Sequence, residues 1–148
     1  MRVLALAALL ALPTAALDDT ALEQAIRPKL GRPYVWGAAG LKAYDCSGFV
    51  WRALLDAGVL LKRTTARKLF YALPAAKGEE RWQPGALVFF DRVHHVGIVR
   101  NGREFYHASN SHGTRLEEFR PYWQDLVSGY RKITFVSLEA RQTRVVAP

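Results

Sequence analysis

The sequence holds a single cysteine, Cys46, in 148 residues. An internal disulfide is therefore excluded, and so is the close Cys-x-x-Cys pairing of a structural zinc site. Long apolar runs are missing as well. The best candidate, Val3 to Leu12, is about half the roughly 20 residues that a bilayer crossing requires. Acidic residues are scarce, 13 Asp+Glu against 21 Lys+Arg, for a formal charge of +8. That surplus suits anionic partners, but the basic residues are scattered and no Lys/Arg-rich run with interleaved aromatics occurs. Nucleic acid is not expected as a partner. Internal repeats, low-complexity segments and linkers are absent too, and half of the residues are hydrophobic, enough for one packed core of ordinary size.

The first residues read as an address. Arg2 is a short positive region, Val3 to Leu12 is apolar, Pro13 breaks the run, and Thr14-Ala15-Ala16 offers a small-residue cleavage site. Residues 1–16 are read as a signal peptide and 17–148 as a single domain that is exported, periplasmic or extracellular. No cysteine lies near this segment to carry a lipid anchor. The alternative is an uncleaved N-terminal helix packed on the core. In an oxidising compartment a lone thiol is either a reactive group or a small buried hydrophobe, and the count does not choose.

Apolar residues every fourth position (Leu22, Ile26, Leu30) predict a short helix before Gly31. Asp45 is a good N-cap for a second helix whose apolar face runs through Phe49, Val50, Ala53, Leu54 and Ala57 to Gly58. Thr64 or Thr65 caps a third, closed by Pro74. After the Pro84-Gly85 turn the texture becomes β-rich: Leu87 to Phe90, Val96 to Val99, Glu104 to Ala108, and an alternating run over Val127 to Leu138. Asn101-Gly102 signals a two-residue hairpin. Helices first and antiparallel strands afterwards predict an α+β fold. Arg141 to Pro148 reads as a frayed tail.

Cys46 falls at the first turn of a predicted helix, where unpaired N–H groups and the helix dipole favour a thiolate. A thiol nucleophile needs a base within hydrogen-bond reach and a third group to orient that base. The candidates are His94, His95, His107 and His112. Counting back from the Asn101-Gly102 turn places His95 and His107 nearly opposite each other on adjacent strands. Strand alternation sends His94 and His95 to opposite faces, so only one of them meets the sulfur, and periodicity does not say which.

Arg32-Pro33-Tyr34-Val35-Trp36-Gly37 followed by Asp45-Cys46-Ser47-Gly48-Phe49-Val50 resembles the signature segment of NlpC-type papain-like cell-wall peptidases. Arg63-Thr64-Thr65, Pro84 to Phe90, His95-Val96-Gly97-Ile98-Val99 and Tyr106-His107-Ala108 follow in that family's order, so the resemblance covers Leu30 to Ser109. It implies a papain-like α+β fold with the nucleophile helix packed on a central antiparallel sheet. It also implies cleavage of peptidoglycan stem peptides at the bond between γ-D-glutamate and a diamino acid. The matching residues make Cys46 the nucleophile, His95 the base in preference to His94, and His107 the group that orients it. Tyr34 and the Cys46 backbone N–H become the oxyanion donors. Asp45 and Ser47 become part of the pocket for the free amino end of the stem peptide, Asp45 sharing that role with capping only if one carboxylate oxygen stays free. No cofactor or metal is implied.

Two departures stand out: Ala86 where the family often has Asp, and Gly37-Ala38 where it often has Gly-Gly. Trp36 and Trp51 are read as core residues. Rival readings are a non-catalytic wall- or partner-binding module on the same fold, an amidase for another substrate such as a toxin delivered to competing bacteria, and a Cys/His metal site.

Overall fold

The computed structural model describes residues 19–133. The expected signal segment, the last part of the expected final strand and the tail lie outside them. The N-terminal helix is shorter than its periodicity predicts. α1 spans Asp19–Ile26 and tightens into a 3₁₀ turn at Arg27–Lys29. Pro28 explains the change, since it has no N–H to give to an α-helical carbonyl. α2 (Cys46–Asp56) is capped by Asp45, whose side chain accepts from the Gly48 N–H. α3 (Ala66–Ala72) is capped by Thr65 rather than Thr64. Buried Lys29 ties α1 to α2, its ammonium donating to the Ala25 carbonyl and to Asp56 at 2.6 Å each.

Five strands follow: β1 (Leu87–Phe90), β2 (His95–Val99), β3 (Glu104–Ser109), β4 (Gly113–Glu118) and β5 (Val127–Arg131). They form one antiparallel sheet in the order β4-β3-β2-β1-β5. A short helix, α4 (Pro121–Leu126), leads into β5 and starts on proline, which costs no hydrogen bond at that position. The sheet has two unlike faces. Leu87, Phe89, Val96, Ile98, Tyr106 and Ala108 pack with α1, α2 and α3 in the main core. On the other face Val88, Phe90, Val99 and Phe105 meet Phe119, Trp82 and Trp123 in an aromatic cluster.

The β2–β3 hairpin differs from the two-residue turn expected at Asn101-Gly102. Neither residue has the positive φ that such a turn requires. Asn101 instead accepts through its side-chain oxygen from the N–H groups of Arg103 and Glu104 at 2.8 and 3.0 Å, closing a longer loop. Trp36 is also corrected: it is 86% exposed, not core. Trp51 is partly buried and donates its indole N–H to the Leu61 carbonyl at 2.9 Å. Among the described residues no helix is long and apolar enough to cross a membrane.

Candidate active site

The approach to α2 is built almost wholly from local hydrogen bonds. The Val35 N–H donates to the Tyr44 carbonyl at 3.1 Å and the Asp45 N–H to the Ala38 carbonyl at 2.8 Å, folding residues 35–45 into a compact loop. The buried Asp45 carboxylate gathers five hydrogen bonds from four donors. Oδ1 accepts from the Gly48 N–H at 2.6 Å and the Ser47 hydroxyl at 3.3 Å, and Oδ2 from the Gly37 N–H at 2.9 Å. The Arg63 guanidinium straddles both oxygens at 3.0 and 3.1 Å and reaches the Ser47 hydroxyl at 2.9 Å. Gly48 has to be glycine, because a Cβ there would overlap the Ala38 carbonyl. Both Asp45 oxygens thus have partners in the ligand-free site, and the carboxylate organises the helix start.

This scaffold delivers Cys46 to β2. The ladder between β2 and β3 pairs Ile98 with Tyr106 and Val99 with Phe105 and goes no further. The sulfur sits at the strand edge beyond it, 3.9 Å from the His94 carbonyl and in contact with the Val96 N–H. It thus rests against the backbone on either side of His95. Among the described residues no hydrogen bond joins the sulfur to an imidazole. Such bonds are often long in a ligand-free site and tighten when substrate arrives.

His95 and His107 point to the aromatic face. Extending the register places His107 across from Gly97, diagonal to His95, and the two rings meet through Nε2 of His95 and Nδ1 of His107 at 2.8 Å. Gly97 permits this: a Cβ there would come within 2.8 Å of the Tyr106 carbonyl and 2.9 Å of the Phe105 ring. Trp123 covers the pair, stacked on His95 at 6.0 Å and edge-on to His107 at 5.0 Å between ring centres. His94 takes no part. It is exposed in the turn before β2, where Nδ1 lies 2.9 Å from the Asp91 carbonyl. His112 is exposed too, bonded to Ser111.

Burial in this aromatic box pushes the His95 imidazole down to about 4, the negative charge of Asp91 opposing weakly. His107 is pushed down to about 3, by burial first and then by the neighbouring His95. Both rings are therefore neutral near pH 7. The Cys46 thiol moves opposite to the helix-dipole expectation: burial raises it above the ordinary value and Asp45 adds to the rise. The N–H groups of Val96, Ser47 and Cys46 pull the other way and lose. At rest the site pairs a neutral thiol with a neutral imidazole. The Tyr34 hydroxyl is also raised, by burial and then by the charges of Cys46 and Asp45.

The turn that presents His95 is strained. Asp91, Arg92 and Val93 have φ of 48°, 49° and 63°, a left-handed run that costs about 1–2 kcal/mol per non-glycine residue. It is held by the Asp91 N–H on the Leu126 carbonyl at 2.9 Å and the Val93 N–H on the Ser128 hydroxyl at 3.1 Å.

Comparison with known proteins places the chain in a family. A family model described as the NlpC/P60 family matches residues 31–132. The chain belongs to the NlpC/P60 family. It is 36% identical over 118 residues to a probable endopeptidase p60 of Listeria grayi, covering 77% of this chain and 22% of that protein. It is 32% identical over 124 residues to the bifunctional muramidase/DL-endopeptidase CwlT of Bacillus subtilis, covering 78% of this chain and 36% of that protein. A crystal structure of a lipoprotein-like NLP/P60 family protein from Staphylococcus aureus superposes with a TM-score of 0.69 at 30% identity, over 83% of this chain and 44% of that one. The chain thus spans less than half the length of each of these relatives. The papain-like α+β fold expected from the sequence is the fold observed.

The family segments account for Cys46, His95 and His107, and for Arg63 only as part of a motif without a role. Trp123 and Glu117, which border the histidine pair, lie beyond the segments that carry the resemblance. Trp123 had one available signal, an aromatic two residues after a helix-starting proline; Glu117 had none.

Proposed function

We propose that the protein is an exported cysteine endopeptidase that hydrolyses peptidoglycan stem peptides, at the bond between γ-D-glutamate and the diamino acid. The observation that carries this is the His95–His107 pair at 2.8 Å, set where the Cys46 sulfur lies against the backbone flanking His95. The relatives' own designations, endopeptidase and DL-endopeptidase, support the class of bond.

With His95 protonated on Nε2 toward His107, its Nδ1 is the free base. Nδ1 takes the thiol proton as the sulfur bonds to the substrate carbonyl carbon, so the charge pair forms only as the reaction proceeds. The Cys46 N–H and the Tyr34 hydroxyl donate to the developing oxyanion. Nδ1 returns the proton to the departing amine as the C–N bond breaks. Water, losing a proton to Nδ1, then cleaves the thioester and restores the thiol. Asp45 and Ser47 serve by fixing the helix start through Arg63.

Incubating the purified protein with defined disaccharide-peptide fragments and weighing the products tests this. Two products whose masses sum to that of the substrate plus one water, split after γ-D-glutamate, are expected, and Cys46→Ala should release neither. Cleavage at another amide would make it a different amidase. Retained binding with no cleavage by the wild type would make it a wall-binding module.

A further inference from the structure

His107 is fully buried and one of its two ring nitrogens is accounted for by His95. The other, Nε2, is the only buried side-chain nitrogen or oxygen among the described residues without a hydrogen-bond partner. A stranded polar atom inside an aromatic box is costly, so what it faces matters. It faces a carboxylate: Oε2 of Glu117 lies 3.9 Å away, on a side chain that is 16% exposed. Strand register explains the approach. β3 and β4 pair His107 with Arg115 and Phe105 with Glu117, so Glu117 stands diagonal to His107 on the same face. Arg115 Nε lies 3.3 Å from the same Glu117 oxygen and holds it from the solvent side.

We infer that Glu117 is a positioning residue of this site, holding the single proton of neutral His107 on Nε2 and so leaving Nδ1 of His95 free as the base. The inference rests on the reading of His95 as that base. A neutral imidazole carries one proton. If His107 carries it on Nε2, facing Glu117, its Nδ1 must accept, and His95 must donate from Nε2. If His107 carried it on Nδ1, that nitrogen would donate, the His95 proton would move to Nδ1, and the His95 nitrogen not engaged by His107 would have no lone pair to accept a proton. Glu117 selects the first arrangement because only there does a buried N–H point at a negative charge. It touches neither substrate nor sulfur and acts through His107 alone.

Nitrogen NMR of the full chain labelled in histidine reads this directly. In the wild type both His95 and His107 should be protonated on Nε2. Glu117→Leu should populate the forms protonated on Nδ1 and lower kcat by about 10–100-fold with KM nearly unchanged. Glu117→Gln, whose amide oxygen still accepts, should restore both the tautomers and most of kcat. A wild-type His107 protonated on Nδ1 would overturn the inference, as would a Leu variant with unaltered tautomers and kcat. If the Leu variant fails to fold, the wild-type tautomers still decide. The NMR readout needs no turnover, so a protein that shows these tautomers but cleaves no stem peptide loses the proposed function and keeps the role of Glu117.

Discussion

The sulfur and its imidazole are held by opposite kinds of construction. Around Cys46 the fixing contacts are polar and close in sequence, with Asp45 bonded to Gly37, Ser47, Gly48 and Arg63, all within 18 positions. Around the His95–His107 pair they are aromatic and come from separate elements: Phe90 on β1, Phe105 on β3 and Trp123 on α4 enclose the two rings, and these elements meet only in the folded sheet. The first device sets where the sulfur is. The second sets which charge state the imidazole has, because removing water drives it toward neutrality. Position is supplied by hydrogen bonds and protonation by burial.

The sharpest way to break this division is to remove its polar half. Asp45→Ala strands two N–H groups and the Arg63 guanidinium, and is expected to cost about 2–4 kcal/mol in a chemical-denaturation experiment. Asp45→Asn, which keeps one accepting oxygen, should cost about half as much on the same scale. Equal losses would mean that the carboxylate's charge matters and its capping does not.

The aromatic half is tested by pH. An imidazole held at about 4 is neutral, and so able to accept a proton, at every pH above that value. Activity should therefore persist as pH falls below the ordinary histidine value near 6.5 and disappear only as it passes through about 4. Trp123→Leu opens the box to water and should move that acid limb upward toward 6.5 with little change in the plateau. An acid limb already near 6.5 in the wild type would contradict the role given to burial.

The smallest effect concerns the turn that joins the two devices. Arg92 is exposed, with φ of 49°, and among the described residues its side chain meets only Asp91, at 4.0 Å. Arg92→Gly should leave turnover unchanged and raise stability by up to about 1 kcal/mol, measured by thermal unfolding. A loss of activity would show that the turn's backbone strain is used, not merely tolerated.

The same contrast explains what could be read in advance. The helix carrying Cys46, its Asp45 cap and its end at Gly58 are legible because the interactions that make them lie within a few residues. The start and end of β1 are legible for a similar reason, a continuous apolar run bounded by turns. β4 was invisible: Gly-Thr-Arg-Leu-Glu-Glu is an edge strand with polar residues that carry no β signature, and only pairing with β3 makes it a strand. The hairpin loop is not legible because the Asn101 side chain, not left-handed backbone, closes it. The raised thiol is not legible because a helix start is visible in sequence and burial beneath neighbouring segments is not. His95 over His94 could be chosen only by resemblance, since the left-handed turn that turns His94 outward has no glycine to announce it.

The account stands or falls on the choice between those two adjacent rings. Turnover of a defined stem-peptide fragment by His95→Ala and His94→Ala, each checked for folding, measures it directly. His95→Ala should lose about a thousandfold or more in kcat, while His94→Ala should stay within about threefold of wild type. The reverse pattern, or a His95→Ala variant that still cleaves at near the wild-type rate, would contradict it.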